Sequence, residues 1–484
     1  MKITGQRIDR RIQVLPPTHG VRRFKNGFSN LSQISGTERK NMAKILLGCV
    51  VGYMSHKGIM AVTGLLDFIY LAQYEAHCAD TFGYMKKALK QFYDNRDFFI
   101  EIGVRKHFNI PKFHSLTHYI RSIKMFGTTD NYNTEMFERL HIDFAKMGWR
   151  ASNKRDEFPQ MINWLDRQEK VSMYETYQSH RTDHASAPPP SPSSDRSVDM
   201  STGSDGPTSS SSSVAPATDD DSDEDEFIPV PISSISLLPT TPHTSEVSIS
   251  KHPAYPNAKI SLIERVHDAR DFGYYLKLFI NQYLPNGERI SPRQLDNFQL
   301  PFTKVDVYNL FRFHPSPIND SQTSIDVVRA MRKSSKYPHG RFDTVIVIVG
   351  KDAESTALQG TRVGRIRVIF RFPKIMDTNR GPREVPNNWE KGPMAYVEWF
   401  TSIPANGPSK NHGLMYKIKR PSGDGVRPGA IVPLTNIRQS CMLMPGYTVR
   451  QDVEDYHKAE KVLDQVDTFF INNWRDKYSY QTIY

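Results

Sequence analysis

The sequence predicts a multidomain α+β protein: a mainly α-helical region over residues 1–177, a disordered linker over 178–257, and a small β-barrel-like α+β domain with flanking helices over 258–484. Three observations predict this. Apolar residues recur at helical spacing as far as Tyr177. Ser, Pro and acidic residues dominate the middle of the chain. Short runs rich in Val, Ile and aromatics, separated by Gly, Pro and Asn, fill the rest.

In the first region Thr37 reads as an N-cap, followed by an apolar stripe of Met42, Ile45, Leu46 and Val50. A second helix, over 58–74, is apolar almost all round and is therefore predicted to be buried on most faces. Asp67 sits inside it, either as a hydrogen-bonded core acid or as a functional one. A third helix, over 79–102, places Phe82, Met85, Leu89, Phe92 and Phe99 on one side and is closed by Gly103.

The linker contains Pro188-Pro189-Pro190, a serine run over 209–213 and an acidic block over 219–226. Such composition buries too little apolar surface to offset the entropy of ordering it. Beyond it come a helix over 262–283 and strand-like runs over 342–349, 362–372, 395–400, 415–419 and 431–434. The run Val363-Gly364-Arg365-Ile366-Arg367-Val368 alternates bases with aliphatics, which predicts a basic face over an apolar one. A closing helix is predicted over 453–473, and Trp399 is read as a core residue or as the lining of a groove.

The chain has 484 residues, 38% of them hydrophobic, and a formal charge of +11, which favours a polyanion such as nucleic acid as partner. Cys49, Cys78 and Cys441 are widely spaced and odd in number, so they predict inert thiols in a reducing compartment and no disulfide framework. No apolar run is long enough for a membrane helix or a signal core, which predicts a soluble cytosolic or nuclear protein.

The residues with chemical potential concentrate between Pro111 and Arg155. His114 and His118 stand four apart on a helix started by Pro111, the spacing of a metal-binding pair. The segment 134–147, with Thr134 as N-cap, carries Met136, Phe137, Leu140, Phe144 and Met147 on one arc and Glu138 with His141 on another. An acid and an imidazole so spaced can share a metal or a proton, or can form a solvated face. Lys112, Arg121, Lys124, Arg150, Lys154 and Arg155 are interleaved with Phe113, Tyr119, Trp149 and Phe158, a pattern suited to a nucleic-acid backbone. A second basic run contains Arg329, Arg332, Lys333, Lys336, His339 and Arg341.

These residues resemble the Plavaka-type transposases of the Kyakuja–Dileera–Zisupton group of fungal mobile elements. The resemblance rests on Ile8-Asp9-Arg10-Arg11, Leu65-Leu66-Asp67-Phe68-Ile69-Tyr70, His107-Phe108-Asn109-Ile110-Pro111-Lys112, Phe137-Glu138-Arg139-Leu140-His141 and Asp156-Glu157-Phe158-Pro159-Gln160-Met161. It continues in Ala395-Tyr396-Val397-Glu398-Trp399-Phe400 and in the ending Tyr480-Gln481-Thr482-Ile483-Tyr484.

The resemblance implies a cut-and-paste transposase with an RNase H-like core, whose end the helical region would form, and an Asp-Asp-Glu site holding two Mg²⁺ ions. By position in the motif Glu138 matches the glutamate, with Glu135 as the alternative. Family members carry both aspartates upstream of the part that matches Ile8. The expectation is therefore a truncated, transposon-derived protein that does not cleave DNA alone. A non-catalytic DNA- or chromatin-binding protein is the alternative. The implied partners are DNA, chromatin and other transposase subunits, in the nucleus.

Overall fold

The structure, a computed structural model, describes residues 5–134, 138, 140–186, 247–284, 287–316, 318, 324–350, 353, 356–378, 381–386, 389–404, 407–408, 413–421, 427–446 and 461–483. Helices hold 43% of the chain and strands 20%, so the class is mixed α+β. The chain divides into two compact units, one formed by Met1–Thr129 with Ser233–Tyr484 and the other by Asp130–Ile232. The packing thus groups the first helices with the sheets, whereas the composition placed them in separate domains.

The first unit begins with α1 (Gly5–Gln13), α2 (Gly36–Val50), α3 (His56–Ala72), α4 (Ala79–Asn95), α5 (Phe98–Glu101), α6 (Pro111–Ser115) and α7 (Tyr119–Phe126). The N-cap of α2 is Ser35 and not Thr37. Ser35 Oγ accepts from the Glu38 N–H at 3.2 Å while Glu38 accepts from the Ser35 N–H at 2.9 Å, a reciprocal pair that Thr37 has no acid to form. The predicted third helix breaks after Asn95 into α4 and α5, and Gly103 follows α5 in the left-handed region at φ +74°. Helix α3 is buried as predicted and lies against α4 at Gly64, where an added Cβ would stand 2.7 Å from the Ala88 carbonyl.

The second unit holds α8 (Met147–Ala151) and α9 (Glu157–Ser186). Of the helix expected over 134–147, residues 135–137 and 139 lie outside the described residues, and His141–Lys146 form a π-helical turn. Leu140, Phe144 and Met147, three residues of the predicted apolar arc, are exposed. The expected linker falls mainly on residues 187–246, outside the described residues; α9 runs into its start and strands begin before its end.

The first unit resumes with β1 (Ser248–Ile249), β2 (Tyr255–Lys259), α10 (Ile260–Val266), α11 (Phe272–Asn281), β3 (Lys304–Tyr308), β4 (Leu310–Phe313), β5 (Asp326–Met331), β6 (Arg341–Phe342), β7 (Thr344–Ile348) and β8 (Thr361–Arg371). There follow β9 (Ile375–Thr378), β10 (Gly381–Glu384), β11 (Met394–Trp399), β12 (Tyr416–Lys419), β13 (Gly429–Pro433), β14 (Ile437–Cys441), β15 (Leu443–Pro445), α12 (Val462–Gln465), β16 (Thr468–Ile471) and α13 (Lys477–Ile483). One helix predicted over 262–283 is two, α10 and α11, separated by a turn in which Asp268 has φ +54°. The closing helix predicted over 453–473 is replaced by α12 and β16. Thr468-Phe469-Phe470-Ile471 is a β-prone run that pairs with β12 on one edge and β15 on the other, and 447–460 lie outside the described residues.

The strands do not close into the predicted barrel. They form open antiparallel sheets, the largest in the order β13-β11-β8-β3-β2 with β7 and β14 branching from β8. Strand β8 is long enough to serve three partners: β7 along its first half, β3 along its second, and β11 on the opposite edge. A bulge at Tyr396/Val397 leaves Arg367 without an opposite residue in β11. Both faces of β8 are covered, so Arg365 and Arg367 are buried and the predicted basic face does not reach solvent.

The core beneath α1–α4 also contains Met415, Met442, Met444, Phe470, Trp474 and Tyr480 from the far end of the chain. Gly48 permits this approach, since a Cβ there would stand 2.4 Å from Met444 Cε. Among the described residues no helix is long and apolar enough to cross a membrane.

Candidate nucleic-acid interface

The cations of this protein sort into two populations. The buried ones are neutralised. Arg367 reaches Glu398 at 2.7 Å and Asp464 at 3.0 Å, and Arg365 reaches Asp464 at 2.6 Å. Burial works against the charge of Asp464, yet the two guanidiniums hold its carboxyl well below the usual range. In the second basic run, Arg341 at 3.2 Å and Arg329 at 3.9 Å flank the buried Asp343. Burial raises the Asp343 carboxyl despite these partners. These arginines hold the sheet together and are not available to a ligand.

The second population has no carboxylate partner among the described residues. It comprises Lys112, Arg121, Lys124, Arg150, Lys154, Arg155, Lys333 and Lys336, all exposed, with the half-buried Arg332. In the first unit Lys124 Nζ lies 5.2 Å from the Phe82 ring, and the Arg332 guanidinium covers Tyr255 at 3.7 Å. Two cations escaped the sequence reading. Arg96 and Arg105 stack over Phe108 at 5.1 and 5.7 Å, on the aromatic cluster of Phe92, Phe108 and Phe113 that anchors α6. The signal was present in Arg105-Lys106-His107-Phe108, where bases adjoin an aromatic.

In the second unit Arg150 lies in the last turn of α8, and Lys154 and Arg155 lie in the turn that leads to α9. The helices pack at Gly148, which faces Met161 and Trp164. The turn is fixed by side chains of its own. Asn153 Oδ1 accepts from the Arg155 N–H at 2.9 Å, and Gln160 Nε2 donates to Asn153 Oδ1 at 2.8 Å and to the Arg155 carbonyl at 2.7 Å. Lys154 and Asp156 sit in the left-handed region at φ +62° and +48°. Trp149, 41% exposed, and Phe158, 72% exposed, flank the three cations. A rigid turn with free cations between two exposed rings can neutralise phosphates and stack bases at once.

The residues expected to do chemistry are placed less favourably. Glu138 and His141 are exposed, and Glu135 lies outside the described residues. Two Mg²⁺ ions need several converging oxygen ligands. Among the described residues no group of three or more His, Cys, Asp or Glu is placed to hold a metal, so the described donors do not fit such a centre. His114 and His118 do come together, with Nε2 atoms 3.1 Å apart on exposed rings. Two nitrogens fall short of the four ligands of a closed zinc site.

Asp67 is the core acid of the two readings, buried and accepting a hydrogen bond from Trp474 Nε1. Trp399 is likewise a core residue at 5% exposure, which removes it from any groove.

Fold and surface together define a mixed α+β protein with exposed cations on each of its units that have no ion-pair partner among the described residues. Residues 218–417 match the sequence profile of a family described as a domain of unknown function (DUF6830). The matched span ends in β12 and includes neither the first helices nor the basic turn. No curated protein and no solved structure matches the chain.

Proposed function

We propose that the chain is a transposon-derived DNA-binding protein, related to the Asp-Asp-Glu transposases it resembles and acting in the nucleus. The observation that carries this reading is the set of Arg150 at the end of α8 with Lys154 and Arg155 in the following turn, exposed and without carboxylate partners among the described residues, between Trp149 and Phe158. Asp156 and Glu157 follow Arg155 directly, yet neither pairs with these cations among the described residues, whereas Lys90 pairs with Asp94 and Lys170 with Asp166 elsewhere in this chain. Glu138, exposed on its helix, would add one carboxylate to a metal centre whose other ligands the described residues do not supply.

The test is duplex DNA binding by the full chain, followed by fluorescence anisotropy across a salt series. Affinity should fall steeply with salt, and the triple change Arg150→Gln, Lys154→Gln and Arg155→Gln should lower the log–log slope by up to about 0.9 for each phosphate no longer neutralised. Absent or salt-insensitive binding would overturn the proposal. Nicking of supercoiled plasmid in Mg²⁺ that Glu138→Gln abolishes would replace DNA binding alone by transposase chemistry.

A further inference from the structure

A cleft of about 500 Å³ lies in the first unit, walled by residues around His19, Lys44, Gln73, Ile325 and the Arg475–Gln481 segment. That volume is in the range of small-molecule sites. Its function depends on which of its charges are already committed.

The acids are. Asp326 accepts from the Val327 N–H at 2.9 Å and from the N–H and Oγ of Ser440, both at 2.7 Å, and faces Arg475 at 3.7 Å. Asp476 accepts from Arg475 Nε and from the Ser479 N–H, both at 2.7 Å, and so caps α13. Glu75, exposed on the rim, is also engaged. Arg475 is in turn consumed by these two aspartates and the Ser440 carbonyl.

The cations left over are Lys44 and Lys477. Lys44 Nζ donates to the Gly20 carbonyl at 2.8 Å and forms no salt bridge among the described residues, although Asp476 is near enough to favour its charge and Arg475 to oppose it. Its ammonium therefore keeps two donors for a ligand, in a partly buried position where an anion is worth more than in bulk water. Lys477 is exposed and has no ion-pair partner among the described residues, and His19 adds an imidazole. The lining also includes the apolar Ile318 and Ile325, exposed at 37% and 50%, and the ring of Tyr478.

From this arrangement we infer that the cleft binds a phosphomonoester joined to an apolar or aromatic body of about nucleotide size. The phosphate dianion is held by Lys44 and Lys477, and the body lies along Ile318, Ile325 and Tyr478. Two lysines match the double charge of a phosphate better than the single charge of a carboxylate. The site belongs to the first unit and the basic turn to the second, and the inference does not depend on DNA binding.

The full chain should be titrated by calorimetry with inorganic phosphate, AMP, hexyl phosphate and uncharged adenosine. AMP or hexyl phosphate should bind saturably at about 100 μM or below, adenosine should not bind, and whichever phosphate binds tighter identifies the body as nucleoside or aliphatic. Lys477→Gln, on the surface and harmless to the fold, should weaken binding about tenfold, and Lys44→Gln should do the same. Arg150→Gln should leave it unchanged. Absence of saturable binding across the phosphates, or binding that Lys477→Gln leaves intact, overturns the inference.

Discussion

Trp474 donates its indole N–H to Asp67 at 3.2 Å, joining two residues 407 positions apart. Tyr70, one turn further along α3, donates its hydroxyl to the Trp474 carbonyl, and Asn472 Nδ2 donates to the Lys44 carbonyl at 2.8 Å. A buried helix near the start of the chain is thereby completed by the last residues of the sheet region. Helices α1–α4 are half a core, and the end of the chain is the other half.

This bond has a measurable worth. Asp67→Leu leaves the Trp474 N–H buried without its acceptor, which should lower stability by about 1–3 kcal/mol. Asp67→Asn keeps an oxygen in place and should cost less. Urea unfolding of the two variants checks the order, and equal midpoints would show that the bond contributes nothing.

The buried cluster around Arg367 is more sensitive. Burial opposes its charge, but Glu398, Asp464 and Asp268 hold the guanidinium above its ordinary range. Arg367→Met leaves Asp464 with Arg365 alone and the buried Glu398 with only the more distant Arg427 at 3.4 Å, and should cost up to about 3–5 kcal/mol. Adding Glu398→Gln removes one stranded charge and should recover part of the loss. A double variant less stable than the single would contradict this account.

His267 sets an acid limit. It is buried and, through Nδ1, lies 3.0 Å from the Arg367 carbonyl. Burial lowers its pKa to about 4, with Arg332 and Arg367 adding repulsion. The fold keeps the ring neutral, while the unfolded chain takes up a proton below about pH 6.5. Stability should therefore fall as pH drops from about 6.5 to about 4, by on the order of 3 kcal/mol. His267→Asn should flatten that part of the curve, and a pH profile identical to the parent would refute the assignment.

The three thiols should separate in a reactivity assay. Burial pushes Cys49 and Cys441 up to about 12, whereas Cys78 is exposed and hydrogen bonds from the Thr81 and Asp80 N–H groups lower it. Cys49 and Cys441 are buried, as small buried thiols would be, whereas Cys78 is exposed. A disulfide reagent should titrate one fast thiol in the native protein and three after unfolding, and Cys78→Ser should remove the fast phase.

Much of the fold was legible in local pattern. The all-round apolarity of 58–74 marked a buried helix, and the runs at 362–372, 395–400 and 431–434 lie on three neighbouring strands. The basic turn was legible too, because exposed cations beside aromatics need no distant partner to be recognised. The barrel, the closing helix and the basic face of β8 were not, because each depended on what lay opposite. A run such as Phe469-Phe470-Ile471 suits helix or strand until an edge is offered to it.

By itself the sequence determined where helices and strands could form, since periodicity and turn residues act within a few positions of one another. Only the tertiary structure decided which charges were free. Arg367 and Arg155 are the same side chain in the sequence. One meets three carboxylates brought from distant segments, and the other meets none among the described residues. Charge pairing is a property of space, and residues far apart along the chain are assigned to each other only by packing.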